Sequence, residues 1–194
     1  RRQIPAGLNF SVSGLPYWTT DIGGFISGGD LSDPNFRELF VRWFQFGVFS
    51  PVFRVHGTRY NPDENELWSY GAEAGKILLQ YDHLRYRLLP YIYSLAWKTT
   101  SDNYTPMRPL VMDFRTDVNA QNLGNQFMYG PAFLVSPVTE QGATTRRVYF
   151  PQAKWYDFWT GSATEGGRFA DVAAPLDRMP LYIRAGSIVP MGPE

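Results

Sequence analysis

The hydrophobic periodicity of this chain changes once, at about Ser101, and that change limits the architectures open to it. Upstream, short apolar runs alternate with helical stripes. Residues 1 to 14 read as the tail of a helix, with Gly14 as its stop before Pro16. Leu15 to Ile22 reads as a buried strand, and Gly23-Gly24 lets the chain turn sharply at its end. Asp33 followed by Pro34 supplies a cap and then a proline at the first helical position. Phe36, Leu39, Phe40, Trp43, Phe44 and Gly47 then recur at helical spacing, so a helix from roughly Phe36 to Phe46 buries one broad face. Phe49 to Val55 reads as a second apolar strand. A polar loop from Gly57 to Ser69 leads into a long helix from about Ala72 to Thr99, which Pro90 should kink. This order of elements implies parallel strands with helices outside them, as in an α/β barrel or a doubly wound sheet.

Downstream the runs are short and β-like: Leu110 to Phe114, Ala132 to Val138, Arg147 to Phe150, Lys154 to Phe158 and Leu181 to Val189. Gly130-Pro131, Gly142, Pro151, Gly161 and Gly166-Gly167 punctuate them, and no helical stripe is evident. The second half is therefore expected to be an antiparallel β-sandwich domain. Two strands and three helices cannot close a parallel barrel, which needs eight strand–helix units. An open half-barrel would leave a large apolar patch in water. Either the first half is a small open α/β domain complete by itself, or the chain is the C-terminal portion of a longer polypeptide; the second alternative is favoured.

Composition removes several functions. With 18 basic and 18 acidic residues the net charge is zero, and no electrostatic footprint for nucleic acid is present. No apolar run reaches the length of a transmembrane helix, so no membrane partner is expected. The absence of cysteine excludes disulfides and thiolate metal sites. No His and carboxylate group has metal-ligand spacing, so neither a metal nor a cofactor is expected. Six Trp, twelve Tyr and fourteen Phe exceed what a small core needs, which suits stacking on sugar rings as well as packing. Two segments, PYWTTDIGGF from Pro16 and FSPVFRVH from Phe49, each run from apolar residues into polar ones. Asp21 ends the first, Arg54 and His56 the second. Asp, Arg and His beside aromatics on one rim suit a polyhydroxylated ligand.

Those segments also carry a resemblance. GLPYWTTDIGGF at Gly14 to Phe25, RWFQFGVFSPVFRVH at Arg42 to His56 and LRYRLLPYIYSL at Leu84 to Leu95 resemble glycoside hydrolase family 31, the α-glucosidase and α-xylosidase family. MRPL at Met107, QFMYGPAFLVSPV at Gln126 and PLYIRAGSIVP at Pro180 continue it over nearly the whole chain. The resemblance implies the C-terminal part of a (β/α)₈ TIM barrel over residues 1–104, followed by a β-sandwich over 105–194. It implies a retaining α-glycosidase, which needs two carboxyl groups about 5–5.5 Å apart. In the family both are aspartates on earlier barrel strands, and neither motif occurs in this sequence. Both catalytic carboxylates are thus expected upstream of Arg1, on the remainder of the same enzyme, with no catalytic residue in this chain.

By the same resemblance, His56 lies in the sugar pocket and hydrogen-bonds a ring hydroxyl, with a core histidine as the alternative. Asp21 is a supporting carboxylate with Arg54 as its partner in a buried pair. Phe25 and Trp18 line the pocket, although Trp18 suits core packing better. Arg42 and Trp43 serve packing and ion pairing, and His83 is structural. The YWTTDIGGF form looks closer to α-xylosidases, whose substrate lacks the C5 hydroxymethyl group, and implies release of α-linked xylose from xyloglucan-type oligosaccharides. An α-glucosidase is the alternative. Action on plant polysaccharide fragments would favour a periplasmic or secreted enzyme. The rival class is a non-catalytic carbohydrate-binding module, which would expose Trp155, Tyr156, Phe158 and Trp159 on a sandwich face. The enzyme instead packs them between the sandwich and its neighbour.

Overall fold

The structure, a computed structural model, describes residues 1–26, 29–58 and 66–193. Helix α1 (Gln3–Val12) ends at Ser13, and Gly14 at φ +82° takes the left-handed turn after it. Helix α2 (Pro34–Val48) starts as the sequence dictates, with the Asp33 carboxylate accepting from the Asn35 N–H and Pro34 in the first turn. A 3₁₀ turn, Leu67–Tyr70, precedes α3 (Ala72–Arg87). The expected long helix is divided: α3 stops at Leu88, and α4 (Leu89–Asp102) begins with Pro90 in its first turn. Proline has no N–H to give to the preceding turn, so the ladder breaks one residue ahead of it.

The two segments expected as buried strands are extended but form no ladder. Among the described residues they meet at two single parallel bridges, Ile22 to Val55 and Ile26 to Thr58. Leu15 and Tyr17 are exposed, and residues 52–58 alternate between half-buried and exposed. A parallel strand gains full pairing and burial only from neighbours on both edges, and among the described residues each segment bridges one other.

The β half contains β1 (Met107–Pro109), β2 (Phe127–Tyr129), β3 (Phe133–Val135), β4 (Thr145–Phe150), β5 (Lys154–Asp157), β6 (Ala163–Glu165), β7 (Arg168–Ala173) and β8 (Leu181–Arg184). Six strands form one sheet in the order β1-β2-β3-β8-β5-β6, and β4 and β7 form a second; all pairings are antiparallel. The run expected as a strand from Leu110 is instead one helical turn, α5 (Leu110–Asp113). The strand lies just before it, because Pro109 ends the pairing and extended backbone at that proline caps the turn. The last strand stops at Arg184, short of the expected Val189, where Gly186 turns left-handed.

The middle of the six-stranded sheet, β2 and β3, is buried on both faces, and period-two alternation assigns its side chains to two cores. Phe127, Tyr129, Phe133, Val135 and Leu181 join the larger core with Phe40, Phe44, Leu78, Leu88 and Tyr91 from the helices. Met128, Leu134, Trp155 and Tyr182 face the second sheet and meet Val148 and Phe150. This explains the unbroken apolar triplets FMY and FLV, which a one-sided sheet would have alternated with polar residues. Each such side chain contributes about 1.5–3 kcal/mol by leaving water.

Polar contacts fix α2 and α3 on the β domain. Arg42, nearly buried, donates from Nη1 to Pro175 O (3.0 Å) and from Nη2 to Ala174 O (2.8 Å) and Ala143 O (3.1 Å). Its partners are carbonyls, so the ion pairing expected of it is replaced by charge-assisted hydrogen bonds. Gln45 donates to Leu176 O (2.7 Å), and the Tyr81 hydroxyl accepts from the Met179 N–H (2.8 Å).

Candidate active-site rim

Extended backbone presents alternate residues to one side, so Arg54 and His56 share the exposed side of the second segment while Phe53 and Val55 turn inward. The inward side is fixed by Phe53, whose ring meets Phe44 edge-on at 4.8 Å. On the first segment, Gly23 and Gly24 at φ +86° and +89° reverse the chain after Asp21. That reversal returns Phe25 to the rim, and only glycine adopts two such successive positions without strain.

The segments approach closely beyond the bridges. Thr58 donates to Phe25 O from its N–H (2.7 Å) and its hydroxyl (3.2 Å). Between them a Cβ on Gly57 would lie 2.7 Å from Gly24 O and 2.8 Å from Phe25 O, so glycine is required there by proximity alone. The Val52 N–H donates to Trp18 O at 3.1 Å, tying the inner ends together.

Four of the five expected site residues form two pairs on this rim. The rings of Phe25 and His56 are 5.5 Å apart and tilted by 40°. Arg54 Nη2 donates to Asp21 Oδ1 at 2.8 Å. That pair was expected to be buried; the Arg54 side chain is 46% exposed and that of Asp21 29%. Water screens so open a pair, which orients its members and adds little stability. Trp18, half-buried, contacts the Phe10 ring at 5.2 Å and lies against Gly7, where a Cβ would meet it at 2.7 Å. His83 lies on the exposed side of α3.

Two grooves flank the layer. One of about 460 Å³, lined by Ile4, Phe36, Leu39, Trp43 and Phe46, lies away from the rim. The other, about 640 Å³, runs beside residues 51–55 and touches the rim through Arg54. Of Asp21, Phe25, Arg54 and His56, the second groove is lined by Arg54 and the first by none. Among the described residues no three His, Asp or Glu converge as metal ligands, and no helix is long and apolar enough to cross a membrane.

Sequence reasoning missed Gly57 and Thr58, which hold Phe25 against the His56 segment. A glycine immediately after a candidate ligand-binding histidine was the available signal, since such a glycine marks close backbone approach.

An incomplete parallel layer with a polar-aromatic rim, backed by a two-sheet β domain, has the architecture of a barrel portion followed by a β-sandwich. Residues 1–95 match the family model described as glycosyl hydrolases family 31 TIM-barrel domain, and residues 103–189 match the glycosyl hydrolase family 31 C-terminal domain. The chain belongs to glycosyl hydrolase family 31. It is 53% identical over 192 residues to an α-xylosidase of Saccharolobus solfataricus, covering 98% of this chain and 26% of that protein. It is 34% identical to α-glucosidase 2 of Bacillus thermoamyloliquefaciens, covering 97% and 23%. Among solved structures, a family 31 α-xylosidase from a soil metagenome, complexed with xylose, superposes with a TM-score of 0.89 at 42% identity, covering 95% of this chain and 30% of that one. The chain spans about a quarter of the length of these curated relatives.

Proposed function

We propose that this chain is the C-terminal portion of a retaining α-xylosidase that releases terminal α-linked xylose from xyloglucan-type oligosaccharides. It supplies one wall of the sugar pocket and the β domain behind it. The observation that carries the proposal is the rim, where Phe25 and His56 sit ring to ring beside the Asp21–Arg54 pair. A neutral imidazole gives or accepts a hydrogen bond to a sugar hydroxyl. The Phe25 face covers the apolar side of the ring, and Asp21 holds the Arg54 guanidinium toward the remaining hydroxyls. The nucleophile and the acid/base carboxyl come from the preceding barrel portion of the same enzyme, about 5–5.5 Å apart. The greater identity to an α-xylosidase than to an α-glucosidase supports xylose, which lacks the C5 hydroxymethyl group that a filled pocket rejects by clash. The division between barrel and β domain is assigned to residues 104 and 105, a reading supported by the left-handed Asn103 that ends α4 and by β1 starting at Met107.

A carbohydrate-binding module is the poorer reading. Trp155 is fully buried, Phe158 packs on Phe133 at 5.8 Å, and Trp159 donates to Met179 O while meeting Tyr81 at 5.7 Å. Of the four aromatics such a module would present, Tyr156 alone is exposed.

The test compares aryl α-xyloside and α-glucoside hydrolysis by the full-length enzyme, its His56→Ala variant and this 194-residue chain alone. Xyloside preference, a loss of at least about tenfold in kcat/KM for His56→Ala, and an inactive isolated chain are expected. Glucoside preference transfers the assignment to α-glucosidase. A fully active His56→Ala enzyme removes His56 from the pocket, and turnover by the isolated chain refutes the upstream location of the carboxylates.

A further inference from the structure

We propose that Arg85 is a positioning residue for the sugar-binding rim, acting through the backbone at residues 48–51 without touching substrate. The inference rests on the rim reading above.

Arg85 sits in the last turn of α3, and its guanidinium gathers the backbone where α2 ends and the rim segment begins. Nη1 donates to Val48 O at 2.6 Å and to Ser50 O at 2.8 Å, and Nη2 donates to Pro51 O at 3.1 Å. Three carbonyls within four residues converge on one planar fork, which fixes the direction in which the chain leaves the turn. Pro51 restricts φ at the same point. Nη1 also reaches the Tyr129 hydroxyl at 3.4 Å, and the guanidinium carbon is 5.7 Å from the Phe53 ring centroid. Tyr129 is fully buried on β2 of the β domain. One side chain thus joins α3, the base of the rim segment and the sheet behind it.

The reason such a clamp matters is leverage. Residues 52–58 have no strand ladder among the described residues; the two bridges, the Val52 and Thr58 hydrogen bonds and the side-chain contacts of Phe53, Arg54 and His56 hold them. His56 lies five residues beyond Pro51, about 17 Å along extended backbone at roughly 3.3 Å per residue. A change of about 5° in the exit direction therefore moves the imidazole by roughly 1.5 Å, and errors of about 1 Å at a site cost on the order of 10²-fold in rate. Lysine keeps the charge but is a compact point donor on a flexible stem, and cannot reproduce a planar fork shared among three acceptors.

The experiment uses the full-length enzyme with Arg85→Lys, His56→Ala and the double variant, each assayed on aryl α-xyloside well below its melting temperature. Arg85→Lys is expected to lower kcat/KM by roughly 30-fold or more. Combined with His56→Ala it should add no more than about threefold, because residues acting through one another are not additive. Pro51→Gly, which loosens the same turn and leaves Arg85 in place, should reproduce the loss and the non-additivity if Arg85→Lys fails to fold. Losses that multiply, or an Arg85→Lys or Pro51→Gly enzyme within twofold of the parent, overturn the proposal. If His56→Ala itself retains full activity, the failure belongs to the rim reading. If His56→Ala loses activity while Arg85→Lys keeps it, the failure belongs to this inference alone.

Discussion

Replacing Gly57 with alanine adds a single methyl group at the narrowest point between the two rim segments. Gly57 needs no left-handed backbone, so alanine is excluded by space alone. Its Cβ would sit 2.7 Å from Gly24 O and 2.8 Å from Phe25 O, where carbon and oxygen normally stay about 3.3–3.6 Å apart. Both obstacles are backbone and cannot swing aside, so the segments must separate by roughly 0.5 Å or more. Overpacking of this kind costs about 1–3 kcal/mol, with the Thr58 to Phe25 hydrogen bond of 2.7 Å the first contact to lengthen. The strain falls between Phe25 and His56, the pair proposed to grip the sugar. The expected result in the full-length enzyme is a fall in kcat/KM of about 10–10²-fold on aryl α-xyloside, with a melting temperature lowered by only a few degrees. A Gly57→Ala enzyme within threefold of the parent would show that the close approach does not set the site.

Three further outcomes follow from the packing. Arg42→Met leaves the carbonyls of Ala143, Ala174 and Pro175 without their donor, and should cost about 3 kcal/mol net of the charge no longer buried. Denaturant unfolding of the full-length enzyme should show the loss, and a loss below about 1 kcal/mol would refute the clamp. Gly75→Ala inside α3 meets only Leu67 O at 3.7 Å, so alanine should stabilise by about 0.5–1 kcal/mol, and any measured destabilisation contradicts the open space there. Burial pushes the Tyr104 and Tyr182 phenols up to about 12 from an ordinary value near 10. The fold holds those protons more tightly, so their contribution is complete below about pH 10 and is lost as pH rises toward 12. The tyrosinate absorbance that disappears in Tyr182→Phe should therefore be a component that rises only with unfolding; a lost component that rises while the chain is still folded would argue against a buried Tyr182 phenol.

Local chemistry was legible in the residues. The Asp33-Pro34 start of α2, the Gly14 stop of α1 and the break ahead of Pro90 depend on capping and on a missing N–H, which act within one turn. The change from helical stripes to short β runs located the β domain, because periodicity reports which face is buried. The spaced motifs carried the family for the same reason, being read in order along the chain. Tertiary structure alone decided the rest. Leu15 to Ile22 and Phe49 to Val55 look like buried strands, yet pairing depends on neighbours that sequence cannot supply, and the described residues bridge only twice. Leu110 to Phe114 has strand composition, but a proline at the end of β1 sends it into a helical turn. Arg42 was expected to form ion pairs and nothing in the sequence singled out Arg85; their acceptors are carbonyls 100 or more residues away for one and behind a turn for the other. Hydrogen bonds to backbone leave no trace in side-chain identity, so only the folded chain could reveal which arginine holds which turn.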